Sequence, residues 1–127
     1  MINAGGDTAF RVAVPGIPMT VTHTDGFPVL PQQADSVLLG MGERADAIVT
    51  LGDSSVPVVA APYGKDGWAQ LNMRVAGTPY SGDQAAVGRF AAQLAQQPPL
   101  DTATLRPTEA DTLPEAMPAQ TLDLRLG

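Results

Sequence analysis

Short apolar runs separated by turn residues recur across residues 1–76, and this regular spacing limits the folds open to the chain more than any other feature. Several runs alternate apolar and polar residues with a period of two, as half-buried strands do. Pro15-Gly16, Asp25-Gly26 and Gly52-Asp53 separate them with residues that favour turns. The pattern indicates an all-β fold, a sandwich or barrel of antiparallel strands. The predicted strands cover residues 10–14, 19–23, 36–39, 46–51, 58–61 and 69–75.

Residues 77–97 change in character and predict one amphipathic helix. The stretch 84–97 is rich in Ala and Gln, and its larger apolar residues recur at helical spacing. Either Ser81 or Asp83 is placed to cap the helix start by accepting a backbone N–H bond, and Pro98-Pro99 ends it.

Residues 98–118 contain five prolines and only scattered leucines. Because proline removes a backbone donor and disfavours regular pairing, this stretch is predicted to be an extended linker that packs poorly against its own domain. The last segment, 119–127, contains a cleanly alternating run over 121–126, which predicts one further strand.

Composition excludes several classes of function. The chain of 127 residues carries a net charge of −6, which disfavours nucleic acid, since such binding depends on Lys and Arg neutralising phosphates. It has no cysteine, so thiolate catalysis, thiolate metal sites and disulfides are excluded. No apolar run approaches the roughly 20 residues of a membrane helix, and no signal peptide is visible. We therefore expect neither a nucleic-acid nor a membrane partner.

His23 is the single histidine, and Asp25 follows two residues later. On an extended strand the two side chains share a face and could contact one cation. Two ligands make a weak site, however, and no other potential ligands cluster nearby in the sequence. We therefore predict no native metal site, with His23 and Asp25 as the weak candidates, and interpret His23 as a strand residue bonded to its neighbours.

Glu43-Arg44-Ala45-Asp46 places opposite charges side by side before an apolar strand. As an acid–base pair the carboxylates would need raised pKa values, whereas Arg44 between them favours the ionised forms. The favoured interpretation is structural, with Arg44 bonding a carboxylate or backbone carbonyls at a sheet corner. Asp25-Gly26 is likewise interpreted as a turn, because Gly accepts a positive φ and Asp bonds the backbone beyond it.

No nucleophilic or phosphate-binding motif is present. Ser54-Ser55 lacks the Gly-x-Ser-x-Gly context, and Gly40-Met41-Gly42 lacks the Lys-Ser/Thr signature of a phosphate loop. Trp68 and Tyr63 could line a binding patch, although a Trp partly buried under a hairpin is the favoured interpretation. The prediction is therefore that the chain has no catalytic residues and binds no cofactor.

Residues 2–76 resemble the second, middle cupredoxin-like domain of three-domain multicopper oxidases. The resemblance rests on Ile2-Asn3-Ala4, Phe10-Arg11-Val12, Asp25-Gly26 and Gly42-Glu43-Arg44-x-Asp46. It implies a Greek-key cupredoxin-like sandwich, here partial because about the first half of the domain would precede Ile2. It also implies that residues 122–127 correspond to the opening strand of the next, copper-bearing domain.

In that family copper is the cofactor and the middle domain usually holds none. The family's His-x-His pairs and His-Cys-His run are absent from every position of this chain. The resemblance thus implies a non-catalytic structural domain or fragment, flanked by copper-bearing cupredoxin domains in a secreted or periplasmic oxidase that reduces dioxygen. The alternative is an independent β-sandwich binding module without redox activity.

A sandwich without its first strands would leave an apolar face and an unpaired strand edge open to water. The run 121–126, on a linker of about 20 residues, could reach a second chain and cover both. We therefore expect a homo-oligomer, most simply a two-fold dimer, with Leu122, Leu124 and Leu126 buried between chains.

Overall fold

A computed structural model describes residues 1–80, 82–100, 102–116 and 119–125, without the side chain of residue 103. Within these ranges seven strands form two antiparallel sheets, followed by one α-helix and two short 3-10 turns. The predicted all-β sandwich with one helix is confirmed. The elements are β1 (Phe10–Ala13), β2 (Met19–Thr24), β3 (Phe27–Ala34), β4 (Val37–Leu39), β5 (Ala45–Ile48), β6 (Val56–Pro62), β7 (Ala69–Met73), α1 (Gln84–Leu94) and the 3-10 turns Thr102–Thr104 and Glu109–Asp111.

The two sheets have different numbers of strands. The larger has the order β4-β1-β6-β7 and the smaller β3-β2-β5. Their facing side chains form the main core, in which Met19 and Val21 are almost completely buried. Burial of one such side chain is worth about 1.5–3 kcal/mol. The buried members of this core are Val12, Val14, Met19, Val21, Val29, Ala34, Val37, Leu39 and Ala45.

Helix α1 covers the opposite face of the larger sheet. Strand side chains alternate in direction, so Val12 of β1 points into the main core while its neighbour Ala13 points towards the helix. The buried stripe of α1 packs there on β1 and β6. This second cluster consists of Ala13, Val59, Ala61, Val87, Ala91 and Leu94.

The ends of α1 are formed by local hydrogen bonds. The Asp83 carboxylate accepts a bond of 2.8 Å from the N–H of Ala85, as expected of an N-cap residue. The other cap candidate, Ser81, lies outside the described residues. The helix ends at Leu94 and not at residue 97, because Gln96 bonds three residues back to Gln93 and tightens the last turn.

Strand β3 was not among the predicted strands. It contains Pro28 and Pro31, which cannot donate to a ladder and therefore argue against a central strand. The structure places β3 at the edge of the smaller sheet, where it pairs with β2 alone among the seven strands. Proline is tolerated at that position because an edge strand leaves half of its backbone groups unpaired within the sheet.

The prediction that residues 98–118 pack poorly is wrong for much of this segment. The N–H of Leu30 in β3 donates to the carbonyl of Arg106 at 2.9 Å, and the N–H of Leu100 donates to Ser36 at 2.9 Å. Leu100 and Leu105 also pack against the main core. The segment is irregular, but it covers the outer edge of β3; residues 117 and 118 lie outside the described ranges.

The C-terminal residues 119–125 form no strand in the structure. Leu122 and Leu124 are 73% and 90% exposed, so the predicted alternating strand has no partner within the described chain. Leu126, also assigned to that strand, lies outside the described residues. No helix in the described residues is both long and apolar enough to cross a membrane.

Candidate interaction surfaces

His23 lies on β2 between the two other strands of the smaller sheet. Its paired residues are Asp46 in β5 and Pro28 in β3. The imidazole Nδ1 is 3.1 Å from the hydroxyl of Thr22. No three His, Asp or Glu side chains within the described ranges come together in a group that could hold a metal ion.

Asp25 belongs to the turn between β2 and β3, and Arg44 is hydrogen-bonded to that turn. Asp25 and Gly26 have φ values of 51° and 91°, which suit the two-residue connection between β2 and β3. The Asp25 carboxylate accepts the N–H of Arg44 at 2.9 Å, and the N–H of Asp25 donates to the Arg44 carbonyl at 2.9 Å. The Arg44 guanidinium donates to the Asp25 carbonyl. These contacts connect the β2–β3 turn to the start of β5.

Glu43 stabilises the turn between β4 and β5, which precedes Arg44 in the chain. Its carboxylate accepts the N–H of Gly40 at 2.6 Å, and its carbonyl accepts the N–H of Asn3 at 3.0 Å. The carboxylate of Asp46, by contrast, is exposed and has no hydrogen bond or ion pair within the described part of the chain.

Asn3 is a buried polar residue to which the sequence analysis gave no separate role. Its side-chain amide donates to the carbonyls of Thr8 at 2.8 Å and Leu39 at 3.1 Å, and its oxygen accepts the N–H of Gly5 at 2.9 Å. Every one of these partners is a backbone group that would otherwise lose a hydrogen bond. The signal that could have identified Asn3 is a single amide between the apolar residues Ile2 and Ala4.

Arg11 is a second residue whose role the sequence analysis did not anticipate. It points away from the main core, and its guanidinium donates to the carbonyl of Ala95 at the C-terminal end of α1. It also lies over the ring of Tyr63, 5.2 Å from the centroid. A cation at a helix C-terminus is favourable, so Arg11 joins helix and sheet. Its signal is a charge within an alternating apolar strand.

A cleft of about 740 Å3 opens beside Arg11, between α1 and the loop that precedes β7. Tyr63 and Trp68 contribute its aromatic walls and are 57% and 37% exposed. Trp68 lies against the helix, since a Cβ added at Gly88 would be 3.4 Å from the indole nitrogen. Trp68 therefore contacts the helix but stays exposed in the cleft, instead of being partly buried under a hairpin as predicted.

A groove opens on the other side of the larger sheet, where β5 and β7 are neither paired with each other nor covered. This β5–β7 groove has a volume of about 260 Å3. Leu71 of β7 is 68% exposed at its rim. The groove is lined by Met1, Val14, Met19, Asp46, Ala47, Val49, Val58, Leu71 and Met73.

A larger apolar hollow of about 550 Å3 lies next to the N-terminal segment. Inward-facing residues of β1, β4 and β6 form its floor, among them Phe10, Val12, Leu39 and Ala60. The inner face of the larger sheet is therefore covered by the smaller sheet only in part.

Comparison with known proteins gives matches to multicopper oxidases and to a copper resistance protein. The family model for multicopper oxidases matches residues 1–65. The chain is 48% identical over 80 residues to multicopper oxidase MmcO of Mycobacterium tuberculosis, covering 62% of this chain and 16% of that protein. It is 32% identical over 69 residues to a copper resistance protein A homolog of Pseudomonas syringae, and this match covers 54% of this chain and 12% of that protein.

Two laccases match over a shorter stretch or with lower sequence identity. Laccase-2 of Botryotinia fuckeliana is 39% identical over 49 residues, covering 39% of this chain and 8% of that protein. The solved structure of a mutant laccase from B. aclada has 22% identity and a TM-score of 0.43, and the match covers 57% of this chain and 16% of that one. The chain thus spans less than a fifth of the length of the relatives that it matches.

Proposed function

The chain belongs to the multicopper oxidase family, and on that basis we propose that it is a non-catalytic structural cupredoxin-like domain, or a portion of one. In this proposal it corresponds to the middle domain and spaces the copper-bearing domains of an enzyme that oxidises a substrate and reduces dioxygen. The observation that carries the proposal is a match to the family over half of the chain, combined with a set of side chains that does not suit copper.

The side chains of this domain do not fit the copper that the family implies. A mononuclear blue-copper site takes two His and one Cys, usually with an axial Met. The chain has one histidine and no cysteine, and His23 has its Nδ1 beside the Thr22 hydroxyl. Its five methionines cannot replace a thiolate and a second imidazole. We therefore assign no redox step to this chain.

The uncovered apolar surfaces support a role in packing against neighbouring domains. The hollow beside the N-terminal segment and the β5–β7 groove both expose side chains of the inner sheet face. Apolar surface of this kind is stabilised by a covering partner. In the proposed role the partners are the flanking cupredoxin domains of the same enzyme.

The proposal extends to location and assembly. Secretion or export to the periplasm follows from the likeness to multicopper oxidases, and self-association of the isolated chain follows from its uncovered strand edges. An independent binding module is the alternative, for which the cleft beside Trp68 would be the site. The family match favours the structural role.

Copper analysis tests the absence of a redox site. The purified chain is incubated with Cu(I) and Cu(II), dialysed, and assayed for bound metal and for oxidase activity. We expect no stable equivalent of copper, no intense blue thiolate-to-copper colour and no oxidase activity. One equivalent of tightly held copper with that colour would contradict the proposal.

A chimera tests the spacing role. The 80-residue stretch of MmcO that matches this chain is replaced by the corresponding residues of this chain. We expect a folded chimera that keeps its copper content and oxidase activity. A control chimera carrying Val21→Asp places a charge at a fully buried position and should lose both. A folded first chimera without copper or activity would refute the role.

A further inference from the structure

The sandwich has an empty strand position. Among the described residues the larger sheet has four strands and the smaller sheet three, and no described strand lies opposite β7. In the β6–β7 ladder Val58 pairs with Leu71 and Val56 with Met73. Since directly paired residues share a face and Val58 packs on the main core, Leu71 also points inwards, yet it is 68% exposed.

The free edge of β5 borders the same position. β5 pairs with β2; on its other side Met1 pairs with Ala45, whose N–H donates to the Met1 carbonyl at 3.0 Å, and beyond Ala45 no described residue pairs with that edge. Ala45 is buried and Ala47 packs on the core, while Asp46 and Ile48 lie on the outer face and are exposed. A strand added next to β5 would place its inward side chains in the β5–β7 groove, against Leu71 and its neighbours.

The chain contains a segment with the pattern that this position requires. In residues 121–125, which we call the tail strand, Leu122 and Leu124 share one face and Asp123 and Arg125 the other. Both leucines are exposed. We propose that the tail strand of a second copy of this chain adds to the free edge of β5 and fills the β5–β7 groove, giving a reciprocal dimer.

The charged side chains of the tail strand and of β5 favour one pairing register between the two strands. Only two antiparallel registers place both leucines opposite the inward-facing residues at 45, 47 and 49. One puts Arg125 directly opposite Asp46, whose carboxylate has no partner within the described residues. The other puts Asp123 opposite Asp46 and Leu124 opposite Ala45, where Met1 is already paired. Opposite charges directly across a ladder stabilise it and like charges destabilise it, so the first register is the one proposed.

The path of the chain favours a second copy over the chain's own tail. Residues at 105–108 run antiparallel to β3 through the Val29–Pro107 bridge, and β3 and β5 both run antiparallel to β2. The tail strand on its own β5 would therefore run in the same direction as residues 105–108, at the opposite edge of one sheet. Strands of the same direction need a crossover of a dozen or more residues, usually helical.

Residues 109–120 supply twelve residues for that crossover, and they include a 3-10 turn and two prolines. Pro-containing sequences of this kind favour extended, semi-rigid conformations, which suit a reach towards a second molecule better than a return across the sheet. Donation to a second molecule requires no return. This inference stands apart from the proposed spacing role, because the groove and the tail strand both belong to this chain.

Disulfide cross-linking tests the proposal, since the natural chain has no cysteine. A full-length chain with Asp46→Cys is mixed with a full-length chain with Arg125→Cys and oxidised. The Cα atoms of directly paired residues lie about 4.5–5.5 Å apart, within the range for a disulfide. Diagonal neighbours, as positions 46 and 123 would be in the proposed register, lie about 7–8 Å apart and outside that range. We expect the mixed disulfide dimer to form at least about tenfold faster than with Asp123→Cys, the matched register control.

Sedimentation provides the second measurement. We expect the unmodified chain to be dimeric at about 100 µM, and Leu122→Asp/Leu124→Asp to be monomeric; Leu113→Asp, a substitution at another exposed leucine, should leave the dimer unchanged. Three results would overturn the proposal: a monomeric unmodified chain, a dimer unaffected by the double substitution, or equal cross-linking at 123 and 125. A chain with both Asp46→Cys and Arg125→Cys that oxidises to a monomer would show that its own tail fills the groove.

Discussion

Leu94 anchors α1 to the sandwich, and its truncation gives the most direct measure of that packing. Its side chain is fully buried in the second cluster, between the helix and the outer face of the larger sheet. Leu94→Ala removes three carbon atoms, which at about 0.8 kcal/mol each costs about 2.4 kcal/mol of transfer free energy. The cavity left behind adds to this, so we expect the free energy of unfolding to fall by about 3 kcal/mol.

Urea unfolding followed by Trp68 fluorescence and by far-UV circular dichroism measures the change. Trp68 is the single tryptophan and lies against α1, so it reports on the helix–sheet contact, whereas the dichroism reports on the whole domain. With a slope of about 2 kcal/mol per M, the midpoint should move down by about 1.5 M. Both signals should move together if helix and sandwich unfold as one unit.

Leu113→Ala is the matched control, because Leu113 is 86% exposed and should change stability by less than about 0.5 kcal/mol. An equally small change for Leu94→Ala, with an unchanged slope, would refute the packing of α1 on the sheet. A shift in the fluorescence transition alone would show instead that the helix detaches before the sandwich unfolds.

Three further predictions follow from other contacts. Arg11→Met should lower the free energy of unfolding by about 1–2 kcal/mol, because the hydrogen bond from Arg11 to the Ala95 carbonyl is lost. Arg74→Met, at an exposed position, is the control and should leave stability nearly unchanged in the same urea titration. A hydrogen bond from the Thr8 hydroxyl, and then the charge and hydrogen bond of Lys65, lower the pKa of the Asp7 carboxyl. The stability that Asp7 contributes is therefore present above its unfolded-state pKa and is lost as the pH falls through its folded-state pKa. In an NMR titration, Lys65→Met should raise the pKa of Asp7 towards its ordinary value. Limited proteolysis should cut within 113–116 or 119–125 before 105–108, and earlier cutting in 105–108 would contradict the pairing of that stretch with β3.

The sequence predicted those elements whose signals are local. Alternation and turn residues located six of the seven strands, and Asp25-Gly26 identified the β2–β3 turn. β3 was not predicted, because its two prolines argue against a strand unless the strand is known to lie at the edge of a sheet. Edge position depends on the order of strands in the sheet, and local pattern does not contain that order.

The interaction surfaces were less predictable for the same reason. The prolines of 98–118 suggested poor packing, yet Leu100 and Leu105 reach the core because the free edge of β3 lies beside them. Arg11 looked like the polar half of an alternating strand, and its helix partner is 84 residues away. The β5–β7 groove exists because one sheet has a strand more than the other, a difference that no single segment shows.

The spacing role and the reciprocal dimer make competing demands on β5. One free edge accepts one strand, so a strand supplied by the remainder of a larger enzyme would exclude the tail strand of a second copy. Cross-linking between positions 46 and 125 should therefore occur in the isolated chain and disappear in an active chimera that is extended to carry residues 1–127 of this chain. If both Cys pairs stayed unreactive in the isolated chain while the chimera was active, the groove would be an interdomain surface and not a dimer interface. Cross-linking that persisted in the active chimera would show that the edge of β5 stays open in the larger enzyme.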